Sequence, residues 1–376
     1  MADLPIPEFI DDDPSAVLTA IIADYETRTG KTLQPAQIER LLINAFAYRE
    51  SLVRTVINET AKQNLVAFAT FPIIDYLGQL VGVTRIAPSS ATCTVRFTLI
   101  SSHTGVTIDE GTRIASVDGK ATFETTVPTV VNAGVTTADV QCEAITAGTE
   151  ANGYTVGQIT AIVNPQVWMV SASNLNTTAG GSAEETDEQL RERIKLAPAS
   201  FSNAGSRDAY KFFASGANAS IIDVAVIGPP TTAPGNVIVY PFLEGGQETP
   251  LQVLQAVEAA LNSESVRPLT DNVTVVSPTK VEYSLAVGLV VLEGANQSDI
   301  LASVTAILTE LTVSKYLRLG RDLTHSEIIA ACMIDGVYTV APVINSPTPV
   351  NPLVIEANEF AFATGITVTI TGTNVG

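Results

Sequence analysis

The sequence predicts an α+β multidomain protein with an N-terminal long-helix region, a central β-rich domain and C-terminal α+β subdomains. Three observations carry this reading. Apolar residues recur at threes and fours through the first 68 positions. Apolar and polar residues alternate from Cys93 to Leu99, and again around Val140. Beyond Gly205, helical and strand patterns take turns. A chain of 376 residues also exceeds one ordinary core, given roughly 100–200 residues per domain. The parts are placed at 1–88 (helical), 89–178 (β-rich), 179–278 (a central helix and a first α+β subdomain) and 279–376 (a second one with a C-terminal strand).

The helical part opens at Asp11-Asp12-Asp13-Pro14, where Asp13 can cap and Pro14 suits the first helical position. Val17, Leu18, Ile21, Ile22 and Tyr25 make one face, and Gly30 can end the helix. The triple Asp lacks the alternating spacing of a calcium loop, so no metal is expected there. A second helix is expected from Pro35 to about Phe68, or roughly 50 Å at 1.5 Å per residue. Its stripe includes Ile38, Leu42, Ala45, Leu52 and Val56, which are the candidate interface residues. The first helix is about half as long, so part of the stripe should remain for a partner. Phe71-Pro72 breaks the helix, and a short apolar helix follows before Pro88.

In the β-rich part, Asp118-Gly119 marks a hairpin turn with Phe123-Glu124-Thr125 on the return strand. Val140, Cys142 and Ala144 alternate with polar residues, and a last strand is expected near Ile159–Val163. Short strands about ten residues apart suggest a small sandwich or barrel. Trp168, the single tryptophan, is expected to plug the core between sections.

The central stretch runs from Gly180 to Ile194. Two glycines relax the backbone, and a helix follows. Ser182 with Glu185 and Thr186 with Gln189 both have capping-box spacing. Thr186 is the favoured cap, because Asp187 and Glu188 then meet the positive end of the helix dipole and Arg191, Arg193 and Lys195 lie toward the negative end. Ser182 is the alternative. Leu190 and Ile194 form one short apolar stripe.

In the back half, Gly205-Ser206-Arg207-Asp208 opens a helix, and strands are expected at Ile221–Ile227 and Asn236–Tyr240. Pro250–Leu261 reads as a helix with Leu251, Leu254, Val257, Ala260 and Leu261 on one side. Arg267-Pro268-Leu269-Thr270-Asp271 leads into a strand from Val273. A strand at Val281–Leu292, a helix at Gln297–Val313, another from Thr324, a strand from Gly336 and a final strand at Ile366–Ile370 complete the pattern.

Composition narrows the function. Hydrophobic residues are 46% and charged residues 16%, which supports packed cores rather than disorder. A net charge of −19 repels nucleic-acid phosphates and favours basic protein surfaces as partners. Cys93, Cys142 and Cys332 are too scattered for a disulfide framework or a zinc cage. Met1-Ala2-Asp3-Leu4-Pro5 is no secretory signal, and no apolar run has membrane-spanning length, so synthesis in the cytoplasm without membrane insertion is expected. No nucleophile elbow, zinc-protease helix or phosphate loop is present. His325 lies near Asp322 and Ser326, but neighbours at a helix start rarely converge as a triad; Thr324 reads as cap and His325 as exposed filler. Glu184/Glu185 is one of many acid pairs in an acidic chain. No catalytic, cofactor-binding or metal-ligating residue is assigned.

Gly180, Gly181, Ser182, Glu185, Thr186, Asp187, Glu188, Leu190, Arg191 and Arg193, read in order, resemble the signature of the baseplate J-like proteins. Similar passages are Asp75–Pro88, residues 105–125 and 267–278, with Thr270 where the family usually has glycine. The likeness spans roughly residues 70–345; residues 1–68 agree in helical character without a sharp motif. It implies a non-enzymatic wedge subunit in the baseplate of a contractile phage tail. Implied partners are a second copy of itself, other wedge proteins through a helical bundle, and neighbouring wedges, hub or sheath-initiating proteins. The ring of wedges would surround the hub and spike and rearrange when the sheath contracts. The alternatives are the wedge of a phage-tail-like bacteriocin or secretion machine, a tail-associated carbohydrate-degrading enzyme, and a secreted β-rich adhesin.

Overall fold

The computed structural model describes residues 5–201, 205–263, 266–268, 270–315 and 317–375. Met1–Leu4 of the N-terminal reading and Leu269 of the Arg267–Asp271 passage lie outside them. The chain forms two compact units, Met1–Arg85 with Leu190–Lys195, and Ile86–Gln189 with Leu196–Gly376.

The first unit holds α1 (Pro14–Thr29), α2 (Ile38–Lys62) and α3 (Ile73–Leu80). Asp13 caps α1 by accepting from the Ser15 and Ala16 amides, and Gly30 closes it at φ 66°. The Asp triplet has structural work: Thr55 donates to Asp12, and Arg54 donates to the Asp11 carbonyl. Buried Asn58 accepts from the Phe9 and Ile10 amides and donates to the Ile10 carbonyl, so the segment before α1 is pinned along α2.

The long helix is shorter than its periodicity predicts. It starts at Ile38, because Pro35 lies in a turn closed by Gln37 onto the Gln34 carbonyl. It stops at Lys62, where Asn64 donates back to the Thr60 and Ala61 carbonyls and Gln63 accepts from the Thr70 amide. Residues 63–69 then run as turns, and 25 helical residues span about 37 Å.

The second unit begins with β1 (Thr92–Leu99), β2 (Val106–Ile108), β3 (Arg113–Ser116), β4 (Thr122–Thr125), β5 (Thr129–Val131), β6 (Thr137–Ala144), β7 (Ile159–Ile162) and β8 (Met169–Asn174). Six of these form one sheet in the order β7-β3-β4-β6-β1-β8; β2 and β5 pair separately. Alternation in β1 and β6 sends Cys93, Val95, Phe97, Val140 and Cys142 inward. β8 was not expected, since its Met-Val-Ser-Ala-Ser-Asn order has little apolar alternation. Its last residue, fully buried Asn174, accepts from the Ile159 amide of β7 and donates to the Thr155 and Asn176 carbonyls. One side chain thus ties the two end strands of the sheet and curls it toward closure. Trp168 is half-buried against this β core, as part of it rather than as a plug between sections.

The chain continues through α4 (Asp187–Leu196), α5 (Arg207–Ser215), β9 (Ile221–Ile227), β10 (Asn236–Leu243), α6 (Leu251–Leu261) and β11 (Asn272–Val275). The sheet order is β11-β10-β9, with β10 antiparallel to β9 and parallel to β11. On α6 the buried positions are Val253, Val257 and Leu261, four apart; Leu251, expected on that face, is exposed because it falls outside this row.

The last part comprises β12 (Thr279–Leu292), α7 (Gln297–Glu310), α8 (His325–Cys332), β13 (Val337–Asn345), β14 (Pro349–Val350) and β15 (Glu359–Asn374). Its sheet runs β14-β13-β12-β15, with β12 and β15 parallel. Alternate β12 residues from Tyr283 to Val291 face a core shared with Ile300, Val304 and Leu308 of α7 and Ile328 and Cys332 of α8. β15 is far longer than the five-residue strand expected, because glycines and threonines that break the apolar alternation still pair along β12.

Asn174→Ala should lower the unfolding free energy by about 1–3 kcal/mol, since it strands the buried Ile159 amide. Chemical denaturation with tryptophan fluorescence as readout checks this, Trp168 lying on the same core.

Candidate functional site

Residues 179–185 lie antiparallel beside residues 86–92. Thr92 and Ala179 exchange amide–carbonyl bonds, as do Ser89 and Ser182. The Glu185 amide donates to the Ile86 carbonyl, and its carboxylate accepts from the Ile86 amide at 2.9 Å. Glu185 is 2% exposed, so a buried carboxylate reads backbone here. Ser182 is buried too, with its hydroxyl 2.8 Å from that of Ser89, which donates onward to the Gly180 carbonyl. Ser182 and Glu185 therefore build a ribbon rather than a helix cap.

The glycine pair belongs to the same ribbon. Gly180 has φ 92°, a left-handed conformation. A Cβ at Gly181 would collide with the Gly148 carbonyl and come within 3.1 Å of the Ala91 amide. Asn152 accepts from the Gly181 amide and donates to its carbonyl, and Asn218 donates to the Gly180 carbonyl. The sequence signal for this was the glycine pair alone; nothing in the spacing pointed to Asn152 or Asn218.

The helix starts where the capping box places it. The Gln189 amide donates to the Thr186 hydroxyl at 3.3 Å, and the Gln189 side chain accepts from the Thr186 amide at 3.0 Å. Gln189 also donates to the Ala219 carbonyl, a contact not foreseen. Asp187 and Glu188 fall in the first turn.

The remaining signature residues sit in the first unit. Leu190 and Ile194 are buried, and Ile194 lies close to Gly78 of α3, where a Cβ would come within 3.4 Å of it. Arg191 donates to the Val66 and Ala69 carbonyls at 2.8 and 2.7 Å, and Arg193 donates to the Thr84 carbonyl. These arginines were read as helix-dipole partners; Arg191 also satisfies carbonyls in the turns after α2, and Arg193 one in the segment after α3. Arg85 forms a two-pronged ion pair with Asp75 and lies over the Phe71 ring. In the Arg267–Asp271 passage, Asp271 accepts from the buried Tyr210 hydroxyl at 2.6 Å, and burial followed by this bond pushes the Tyr210 pKa up.

The candidate interface residues are all exposed. Ile38 is 74% exposed, Leu42 56%, Leu52 44% and Val56 63%, with Ala45 beside them. The α2 residues turned inward are Ile43, Ala47, Ser51 and Asn58, a different stripe.

Among the described residues no three His, Cys, Asp or Glu side chains stand close enough to hold a metal, and no helix is long and apolar enough to cross a membrane. His103 accepts from the Gly105 amide at Nδ1, so its Nε2 donates to the Val135 carbonyl. Thr324 caps α8 as expected. His325 is half-buried rather than exposed, because Asn351 holds its backbone amide at the helix start; the Asp322 carboxylate accepts from Ile355 instead. The cysteines are buried and free, and burial lifts the Cys93 thiol to about 12 and that of Cys332 to about 11.

Thr186→Ala should cost about 0.5–2 kcal/mol through the lost N-cap bond. Denaturant unfolding followed by circular dichroism reads it; an unchanged midpoint at unchanged slope would mean that the hydroxyl contributes nothing.

Residues 40–92 match the Baseplate J-like N-terminal domain, 94–181 the Baseplate J-like protein barrel domain and 202–277 the Baseplate J-like central domain. The first match begins inside α2, where no sharp motif was read, and the third stops short of β12. The chain is 32% identical over 181 residues to Baseplate protein J of Escherichia phage P2. That stretch is 48% of this chain and 57% of the phage protein, so only somewhat over half of the relative is spanned. The baseplate of the anti-feeding prophage, solved by cryo-electron microscopy, aligns over 93% of this chain and 90% of that one, at 12% identity and a TM-score of 0.42, a likeness too loose to bear on the assignment. With three consecutive domain matches and a curated relative in agreement, the chain belongs to the baseplate J-like family.

Proposed function

We propose that this chain is a non-enzymatic structural subunit of a contractile-tail baseplate. It acts as a wedge component, located in the virion tail. It joins a second copy of itself and other wedge proteins, and the resulting ring surrounds the hub and spike and rearranges on sheath contraction. The four sequence-drawn parts, 1–88, 89–178, 179–278 and 279–376, are its working modules.

One observation carries the assembly reading. α2 is packed along one stripe and leaves Ile38, Leu42, Leu52 and Val56 in water, with Leu41, Phe46 and Val53 also exposed. A contiguous apolar row of this kind marks an interaction surface. The family supplies the context, since the phage P2 relative is itself a baseplate protein.

Leu52→Glu with Val56→Lys should abolish entry into complexes with the wedge proteins encoded beside it, because unpaired charge at a desolvated contact costs several kcal/mol. Both residues are exposed in the isolated chain, so circular dichroism should stay unchanged. Sedimentation of the co-expressed proteins decides. A mutant that enters the same complex removes α2 from the interface, and a mutant that unfolds assigns the row to an internal core.

A further inference from the structure

β15 is an edge strand. β12 lies on one side of it, and among the described strands none lies on the other. Natural sheets blunt long edges with lysines, prolines or short strands. From Phe360 to Asn374 this strand carries no charged residue and no proline, in a chain whose net charge is −19. Two register shifts against β12 occur, yet the ladder between them is regular from Gly365 to Ile370.

That regular run reads the same in both directions: Ile366-Thr367-Val368-Thr369-Ile370. Paired antiparallel with a second copy about Val368, it sets Ile366 opposite Ile370 and Thr367 opposite Thr369. In an isologous contact residue i meets j and j meets i, as these pairs do. Val368 also lines an open apolar groove of about 810 Å³ between α7 and β15, with Leu301, Ala302, Ala306 and Val313. A two-fold axis at Val368 brings both grooves together, so apolar lining meets apolar lining. Glu310 is the charged residue of that lining. Elsewhere two acidic copies repel, whereas the paired strands themselves oppose no carboxylates.

We propose that β15 is a self-pairing edge, through which two copies of this chain join antiparallel over residues 366–370 and merge their C-terminal sheets. The surface is separate from the α2 face, and the proposal does not rest on the wedge reading.

The test is sedimentation equilibrium of the full chain carrying Leu52→Glu and Val56→Lys, which removes association through α2, run beside the unsubstituted chain. A dimer is expected of the substituted chain, and at least a dimer of the unsubstituted one. Thr367→Lys with Thr369→Lys sets like charges opposite each other at both cross-strand pairs and should raise the dimer dissociation constant at least about tenfold. Thr367→Lys with Thr369→Glu sets Lys opposite Glu in the same register and should restore the dimer. Both threonines are exposed, so circular dichroism should be unchanged. The proposal is overturned by a monomer at concentrations up to about 100 μM, by a Lys/Lys variant that dimerises like its parent, or by a Lys/Glu variant no tighter than Lys/Lys.

Discussion

Glu185 is a carboxylate held in the dry and spent on backbone. Its side chain and its amide both bind Ile86, so two chain segments almost a hundred residues apart are locked at one point. A buried charge is tolerated only where hydrogen bonds replace water. That requirement pins the register of the ribbon, because a slip by one residue would part the carboxylate from the Ile86 amide. The ribbon then fixes the rest. Gly181 lies flat against the Gly148 carbonyl, Ser182 meets Ser89, and one residue beyond Glu185 the Thr186 hydroxyl opens α4.

The central stretch therefore has two jobs along its length. Its first half is read by backbone and small polar side chains, and it tolerates no bulk. Its second half is a short amphipathic helix whose leucine and isoleucine enter the N-terminal unit, while Arg191 takes the Val66 and Ala69 carbonyls. The turns after α2 leave carbonyls that no helix satisfies, and a guanidinium with several fixed donors can take two at once. Arginine there thus coordinates main chain with two of its donors.

Much of the fold was legible. Alternation placed β1 and β6, the Asp-Gly turn placed the β3–β4 hairpin, and hydroxyl caps at Thr186 and Thr324 marked two helix starts. Those signals are local, and local physics settles them. The misses are long-range. β8 has weak alternation and is held by pairing with β1, a partner some seventy residues earlier. The end of α2 follows from Asn64 and Gln63 turning back on the chain, though apolar periodicity runs on past them. The exposed row on α2 was visible as surplus stripe, but which residues face inward depended on α1 and on Asn58 gripping the segment before it. The targets of Arg191 and Glu185 had no sequence signal, since a carbonyl partner leaves no mark in side-chain identity.

Charge and apolarity divide the surface in a way that bears on assembly. A chain of this acidity is kept dispersed by self-repulsion. Association must then use places where acid is absent or where apolar burial outweighs it. We propose the α2 row as one such place: each fully buried Leu or Val is worth roughly 1.5–3 kcal/mol, which a few residues in concert raise above the entropy of docking. The uncharged β15 edge is another, and its attraction is of a different kind, since backbone pairing is directional and register-bound while a helical stripe can slide by a turn. A subunit that must join several neighbours gains from holding both sorts of contact. One can set which strands align while the other supplies apolar area, and neither needs an ionic partner that salt would screen.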